Sequence, residues 1–159
     1  MKYLLDSVIL IDHLNNISNA TEWLKSNIKN SYISVITRAE ILVGVESPHL
    51  TITKTFLERF KTLAITQIEA DMAAELRRQY KWKLPDALQA AVAINHKLLF
   101  VTRNSKDFSP DIHAFTIIPY TVRKTIVKHR HPCLTVFSIR FPIDRAWLIH
   151  AMWYLESCR

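Results

Sequence analysis

Strands that are apolar along their whole length must be covered on both faces, and this requirement constrains the fold of the chain more than any other sequence feature. Apolar runs occupy residues 3–5 and 98–101, a β-branched run that includes Ser34 occupies 32–36, and a run that includes Thr116 occupies 115–118, with a shorter candidate at 63–65. Between the runs, apolar residues recur with the period of a helix. Because parallel strands are buried on both faces and are joined by helical crossovers, we expect a three-layer α/β/α domain around a central parallel sheet.

The residue types that are scarce in the chain exclude several function classes. Gly44 is the single glycine among 159 residues, which rules out a P-loop, a dinucleotide fingerprint and a Gly-x-Ser-x-Gly nucleophile elbow. The two cysteines, Cys133 and Cys158, cannot build a disulfide scaffold or a four-thiolate zinc site, and they favour a reducing, cytoplasmic location. The sequence has no signal-peptide pattern and no apolar stretch of about 18 residues, so we expect no membrane association.

The positive charge is unevenly distributed along the chain. The formal net charge is +7, but residues 1–120 contain 14 basic and 12 acidic side chains, whereas residues 121–159 contain 7 and 2. Most of the excess charge therefore belongs to the last quarter of the chain. We expect a folded domain over residues 1–119 and a basic, apolar C-terminal extension over residues 120–159.

Four acidic residues fall where the predicted strands would bring them to one edge of the sheet. Asp6 directly follows the first strand, Glu40 lies just past the second, and Asp107 lies a few residues past the strand at 98–101. Asp86 joins them if the first turn of its helix points to the same edge, which is where open α/β folds bind ligands. Clustered carboxylates need a counter-charge, and oxygen ligands favour Mg²⁺ or Mn²⁺ over zinc. Such ions catalyse phosphodiester hydrolysis.

Each of the four acidic residues also has a purely structural explanation. Thr37-x-x-Glu40 has the spacing of a capping box, and a carboxylate at Asp86 could stabilise a helix start through the helix dipole. Asp6 could cap a helix, and Asp107 could stabilise a turn. Their shared location favours a common site over four separate structural roles.

With these residues in view, the chain resembles the PIN-domain family, in particular the VapC-like toxin ribonucleases of type II toxin–antitoxin systems. Four stretches carry the resemblance in the order found in the family: residues 3–14, 33–44, 84–91 and 101–108. The resemblance implies a PIN-like fold for residues 1–119 and does not extend to the C-terminal extension.

The resemblance also implies a site. It gives catalytic and metal-binding roles to Asp6, Glu40, Asp86 and Asp107. It gives supporting roles to Ser7, Thr102 and Asn104. It further implies Mg²⁺ or Mn²⁺ as the cofactor, RNA as the substrate, a cognate antitoxin as the protein partner, and a homodimer. Val8 stands where the family usually has a polar residue, and Gln89 stands where an aliphatic residue is common, which we interpret as a tolerated substitution on a helix face.

Two arginines and two aromatic residues are further candidates for substrate contacts. Arg38 and Arg103 lie near predicted site residues and could bind substrate phosphate or neutralise the acidic cluster. Tyr80 and Trp82 could stack on a base, although packing is the more common role for aromatic residues at this spacing.

Asp12 and His13 follow the first motif. Asp12 could be a carboxylate that supports the site or could lie on a solvated helix face, and we favour the second. For His13 the sequence identifies no partner, so we interpret it as a solvated helix position.

The sequence thus predicts a metal-dependent endoribonuclease, the toxin of a toxin–antitoxin pair. One alternative is a catalytically weakened PIN-like protein that acts as an RNA- or antitoxin-binding module. Another alternative keeps the nuclease activity but acts on structured DNA or on precursors of ribosomal RNA.

A fragment that ends at Tyr120 tests the predicted domain boundary. We expect residues 1–120 to fold cooperatively and to retain metal binding, because the extension lies outside the predicted sheet and its helices. Thermal unfolding followed by circular dichroism checks the first point and calorimetric titration with Mg²⁺ the second. A fragment that does not fold would show that the extension is part of the domain.

Overall fold

The computed structural model describes residues 1–122, so the C-terminal extension lies outside the described residues from position 123 onward. The strands of the described part are β1 Tyr3–Leu5, β2 Ser31–Ser34, β3 Lys61–Leu63, β4 Leu99–Val101 and β5 Thr116–Ile117. The helices are α1 Ser7–Leu14, α2 Ser18–Asn27, α3 Val35–Val43, α4 Leu50–Leu57, α5 Gln67–Tyr80 and α6 Leu84–Asn95. Within this part, no helix has the length and apolarity needed to cross a bilayer.

The strands form one parallel sheet in the order β3-β2-β1-β4-β5. Both leucines of the central strand β1 are fully buried. Leu5 packs in one cluster with Ile9 of α1 and Phe56 of α4, and Leu4 packs in a second cluster with Ala90 of α6. Because adjacent side chains of a strand point to opposite faces, helices cover the sheet on both sides. The predicted α/β/α architecture is confirmed.

The boundary between β2 and α3 differs from the prediction. The β-branched run 32–36 was expected to be a strand, but the strand ends at Ser34 and the helix begins at Val35. The hydroxyl of Ser34 accepts a hydrogen bond from the backbone N–H of Thr37 at 3.0 Å. This cap supplies an acceptor for a free helix donor, and it outweighs the strand propensity of the two residues that follow.

The register of the sheet brings three strand ends together. Leu5 pairs with Ile33 of β2 on one side and with Val101 of β4 on the other. The residues that follow, among them Asp6 and Thr102, therefore lie at one edge of the sheet. Strands β2 and β3 lie on one side of β1, and β4 and β5 lie on the other, so the strand order reverses between β1 and β4. Open α/β folds form their ligand crevice at such a point.

Asp12 and His13 are buried, so the prediction that they are solvated is wrong. Asp12 is 6% exposed and forms an ion pair with Arg103, whose Nε lies 2.5 Å from Oδ2, while Tyr120 donates to the same oxygen at 3.0 Å. His13 is fully buried, and its Nδ1 lies 2.9 Å from the hydroxyl of Thr21. Burial lowers the pKa of His13 to about 4, so the ring is neutral at physiological pH.

We expect Arg103→Met to lower the free energy of unfolding by about 2 kcal/mol, because it leaves the buried Asp12 carboxylate without its counter-charge. The double variant Asp12→Asn/Arg103→Met should recover part of this loss, since no buried charge remains. Urea unfolding at neutral pH measures both, with Lys106→Met as an exposed control in the same loop. Equal losses in the single and double variants would rule out the buried charge as the cause.

Candidate active site

Asp6 stands at the N-cap position of α1, but its side chain makes no capping hydrogen bond. Its Oδ2 instead accepts a hydrogen bond from the hydroxyl of Thr102 at 2.5 Å. Its Oδ1 accepts from Gln89 Nε2 at 3.4 Å and from the hydroxyl of Ser7 at 3.3 Å. The helix-cap explanation therefore does not describe this carboxylate, which lies among polar side chains at the sheet edge.

Glu40 lies in the middle of α3; the residue as a whole is exposed, but its carboxyl group is partly shielded from solvent. The cap of this helix is Ser34, so Thr37 and Glu40 do not form the capping box that their spacing allowed. The described part of the chain has such a box elsewhere, between Thr66 and Glu69 at the start of α5. The Ser7 hydroxyl, which donates to Asp6, also lies close enough to the Glu40 carboxylate to oppose the rise in its pKa.

Asp86 and Asp107 approach the same edge from other elements. Asp86 is half-buried in the first turn of α6. Asp107 lies in the loop after β4, where Asn104 Nδ2 donates to its Oδ2 at 2.8 Å. The backbone N–H of Asn104 donates to the hydroxyl of Thr102 at 3.0 Å, and that hydroxyl donates to Asp6. Thr102 and Asn104 thus link two of the carboxylates.

The four carboxylates influence one another electrostatically. Desolvation is the largest cause that raises the pKa of Asp6, Glu40 and Asp86 above their ordinary values. The charges of Asp6 and Asp86 raise the pKa of Glu40 further, and those of Asp6 and Asp107 do the same for Asp86. Lys83 partly offsets the effect at Asp86. The cluster has too little positive charge of its own to neutralise it. A bound cation would therefore stabilise it.

The donor chemistry of the cluster fits Mg²⁺ or Mn²⁺, because every candidate ligand is a carboxylate oxygen. Among residues 1–122, however, no group of three or more His, Cys, Asp and Glu side chains is arranged to hold a metal ion. The structure thus brings the four residues to one edge without forming a closed ligand cage.

Gln89 is a partner of Asp6, and its interpretation as a tolerated helix-face substitution is wrong. It is 2% exposed, and its Oε1 lies 2.9 Å from the hydroxyl of Thr37, which also lies 3.0 Å from the carbonyl of Leu5. The amide therefore connects α3 to the Asp6 carboxylate. A polar side chain within the apolar stretch 87–94 was the available signal, because a buried amide must find hydrogen-bond partners.

The two candidate arginines have different surroundings. Arg103 is paired with Asp12 on α1, so its guanidinium is engaged within the protein. Arg38 lies on α3, two residues before Glu40, and is partly exposed. A role for Arg38 in binding substrate stays a prediction.

Comparison with known proteins identifies the family of the chain. The PIN domain family model matches residues 3–109. Ribonuclease VapC10 of Mycobacterium tuberculosis is 32% identical over 108 residues, which are 64% of this chain and 81% of that protein.

Solved structures share the fold. A toxin-antitoxin complex from Klebsiella pneumoniae has a TM-score of 0.69 and 34% identity, and the match covers 76% of this chain and all of that chain. FitAcB from Neisseria gonorrhoeae has a TM-score of 0.64 at 24% identity, covering 76% of this chain and 99% of that chain, and supports the fold alone. The chain therefore belongs to the PIN-domain family, as its four motifs predicted.

Proposed function

We propose that this protein is a Mg²⁺- or Mn²⁺-dependent endoribonuclease that hydrolyses RNA phosphodiester bonds at its carboxylate cluster. The observation that carries the proposal is the convergence of Asp6, Glu40, Asp86 and Asp107, from four different elements, at the switch point of a PIN-domain sheet. The relative from Mycobacterium tuberculosis, which is named a ribonuclease, supports the reaction class.

The residues at the site have two proposed roles: some bind the metal ion, and others orient those ligands. The four carboxylates are the proposed ligands, and the bound ion would supply an activated water and a counter-charge for phosphoryl displacement. Thr102 and Gln89 fix the orientation of Asp6, and Asn104 fixes that of Asp107. Ser7 donates to Asp6, and its hydroxyl also opposes the rise in the pKa of Glu40, so it serves two of the proposed ligands.

Water is the proposed nucleophile, so the ribose 2′-hydroxyl takes no part in bond cleavage. Preference for RNA over DNA must then come from binding. A basic surface beside the carboxylate cluster would provide such binding.

We further propose that the protein is the toxin of a type II pair. Its partners would be a cognate antitoxin and a second copy of the chain, and it would act in the cytoplasm. The similarity to a toxin-antitoxin complex at 34% identity supports the antitoxin. We assign the nuclease to residues 1–119 and treat residues 120–159 as an extension outside it.

Asp86→Asn should lower the RNA cleavage rate by at least about 100-fold while preserving the fold, because it removes a proposed ligand and also relieves repulsion within the cluster. Gel analysis of a labelled RNA in Mg²⁺ measures cleavage, and thermal unfolding measures the fold. Asp71→Asn is the matched control, an exposed carboxylate on α5. EDTA should abolish cleavage by the unmodified protein, and Mn²⁺ should restore it.

Undiminished cleavage by Asp86→Asn, or by the unmodified protein in EDTA, would contradict the proposal. RNA binding without turnover at any concentration of Mg²⁺ or Mn²⁺ would favour the alternative of a binding module.

A further inference from the structure

A cleft flanked by three basic side chains lies at the end of α5, and its walls are formed mainly by carbon atoms of the lining residues. It has a volume of about 260 Å³ and is lined by Arg77, Arg78, Lys81 and Trp82. The three basic side chains are exposed, and none of them forms an ion pair with a carboxylate of residues 1–122. We refer to these four residues as the basic cleft. Its positive charge is therefore available to an anionic ligand.

The basic cleft lies at the same edge of the sheet as the carboxylate cluster. Asn95 at the end of α6 donates to Glu69 at the start of α5 at 2.6 Å, so the two helices run antiparallel. The end of α5 consequently lies beside the start of α6, which carries Asp86. Trp82 and Asp86 are four residues apart, which limits the distance between their Cα atoms to about 14 Å.

The aromatic wall of the cleft is attached to the loop that carries Asp107. Trp82 is 5% exposed, and its ring lies 4.5 Å from that of Phe108, the residue after Asp107. Tyr80 stacks on Trp82 at 4.6 Å with an interplanar angle of 19°. Because Trp82 is buried by these rings, it packs the domain rather than offering a face to a base. The cleft is thereby held in a fixed position relative to the cluster.

The charge distribution of the domain indicates why an RNA substrate would require a basic surface beside the carboxylate cluster. The four carboxylates repel phosphate, and residues 1–120 carry only two more basic than acidic side chains. Yet four of their 14 basic residues lie within residues 77–83. The charge of Lys83 acts on the carboxylate cluster, because it lowers the pKa of Asp86. The three basic residues of the cleft therefore remain for the substrate.

We propose that the basic cleft binds the phosphate backbone of the RNA strand on one side of the bond that is cut. Arg and Lys side chains bind phosphate oxygens through charge-assisted hydrogen bonds, and such contacts position a strand without reading its sequence. A strand whose reacting phosphate lies at the cluster passes the cleft within a few nucleotides. The proposal rests on the nuclease function proposed above.

The salt dependence of RNA binding tests the proposal. The background is the full chain with Asp86→Asn, a fluorescein-labelled single-stranded RNA of about 12 nucleotides is the probe, and gel analysis verifies that the RNA stays intact. Fluorescence anisotropy in Mg²⁺ gives Kd over a range of KCl concentrations. Adding Arg77→Gln, Arg78→Gln and Lys81→Gln should lower the slope of log Kd against log salt by about 2, because each phosphate contact to a single strand contributes about 0.7.

The control carries the same change in net charge at the opposite edge. Lys2, Lys29 and Lys97 are exposed and precede β1, β2 and β4. Lys97 also shares with Lys81 a left-handed backbone, with φ of 55° and 60°. Replacing these three lysines by Gln in the same background should leave the salt slope nearly unchanged.

The remaining outcomes distinguish the two proposals. RNA that binds the basic-cleft variant with the parental salt slope would overturn the role of the cleft and leave the nuclease function standing. Equal reductions in the cleft and control variants would also overturn it, because they would reflect net charge alone. A parent that binds no RNA, together with an unmodified protein that cleaves none, would overturn the nuclease function. If the basic-cleft variant binds RNA as tightly as the parent but binds polyglutamate more weakly, the ligand of the cleft is an acidic protein segment instead.

Discussion

Burying a carboxylate at the end of a central strand costs free energy, and the environment of Asp6 is built to offset that cost. Hydrogen bonds from Thr102, Gln89 and Ser7 favour the charged form, although desolvation still dominates and raises its pKa. Ser7 is the next residue of the chain, the pairing of β1 with β4 brings Thr102 to Asp6, and Gln89 reaches it from α6. The hydrogen bonds to Asp6 thus connect β4 and α6 to the end of the central strand.

The loop after β4 is fixed from two sides. Thr102 and Asn104 face the cluster, where they bind Asp6 and Asp107, while Arg103 between them binds Asp12 on α1. Successive residues of an extended segment point to opposite sides, so one short loop can serve both contacts. The buried ion pair therefore contributes to the site through the loop that it holds, and its guanidinium need not touch substrate.

The sequence predicted the features that depend on local pattern, and it failed where distant packing decides. Continuous apolar runs were sufficient for the parallel sheet, and strand ends were sufficient to group Asp6 with Glu40. Asp12 and His13 looked like surface residues because α1 is short and mixed in composition, yet α1 is packed deep enough to bury both. The role of Gln89 depends on contacts to residues 52 and 83 positions earlier in the chain, which no local pattern reveals.

Hydrolysis by water, with the carboxylate cluster as its site, is the central claim about this molecule. Mass spectrometry of RNA fragments produced in water enriched in heavy oxygen tests it most directly. Attack by water at phosphorus with departure of the 3′ oxygen predicts fragments with a 3′-hydroxyl end and a 5′-phosphate that carries one solvent oxygen. Fragments that end in a 2′,3′-cyclic phosphate without solvent oxygen would contradict the claim, because the ribose hydroxyl would then be the nucleophile.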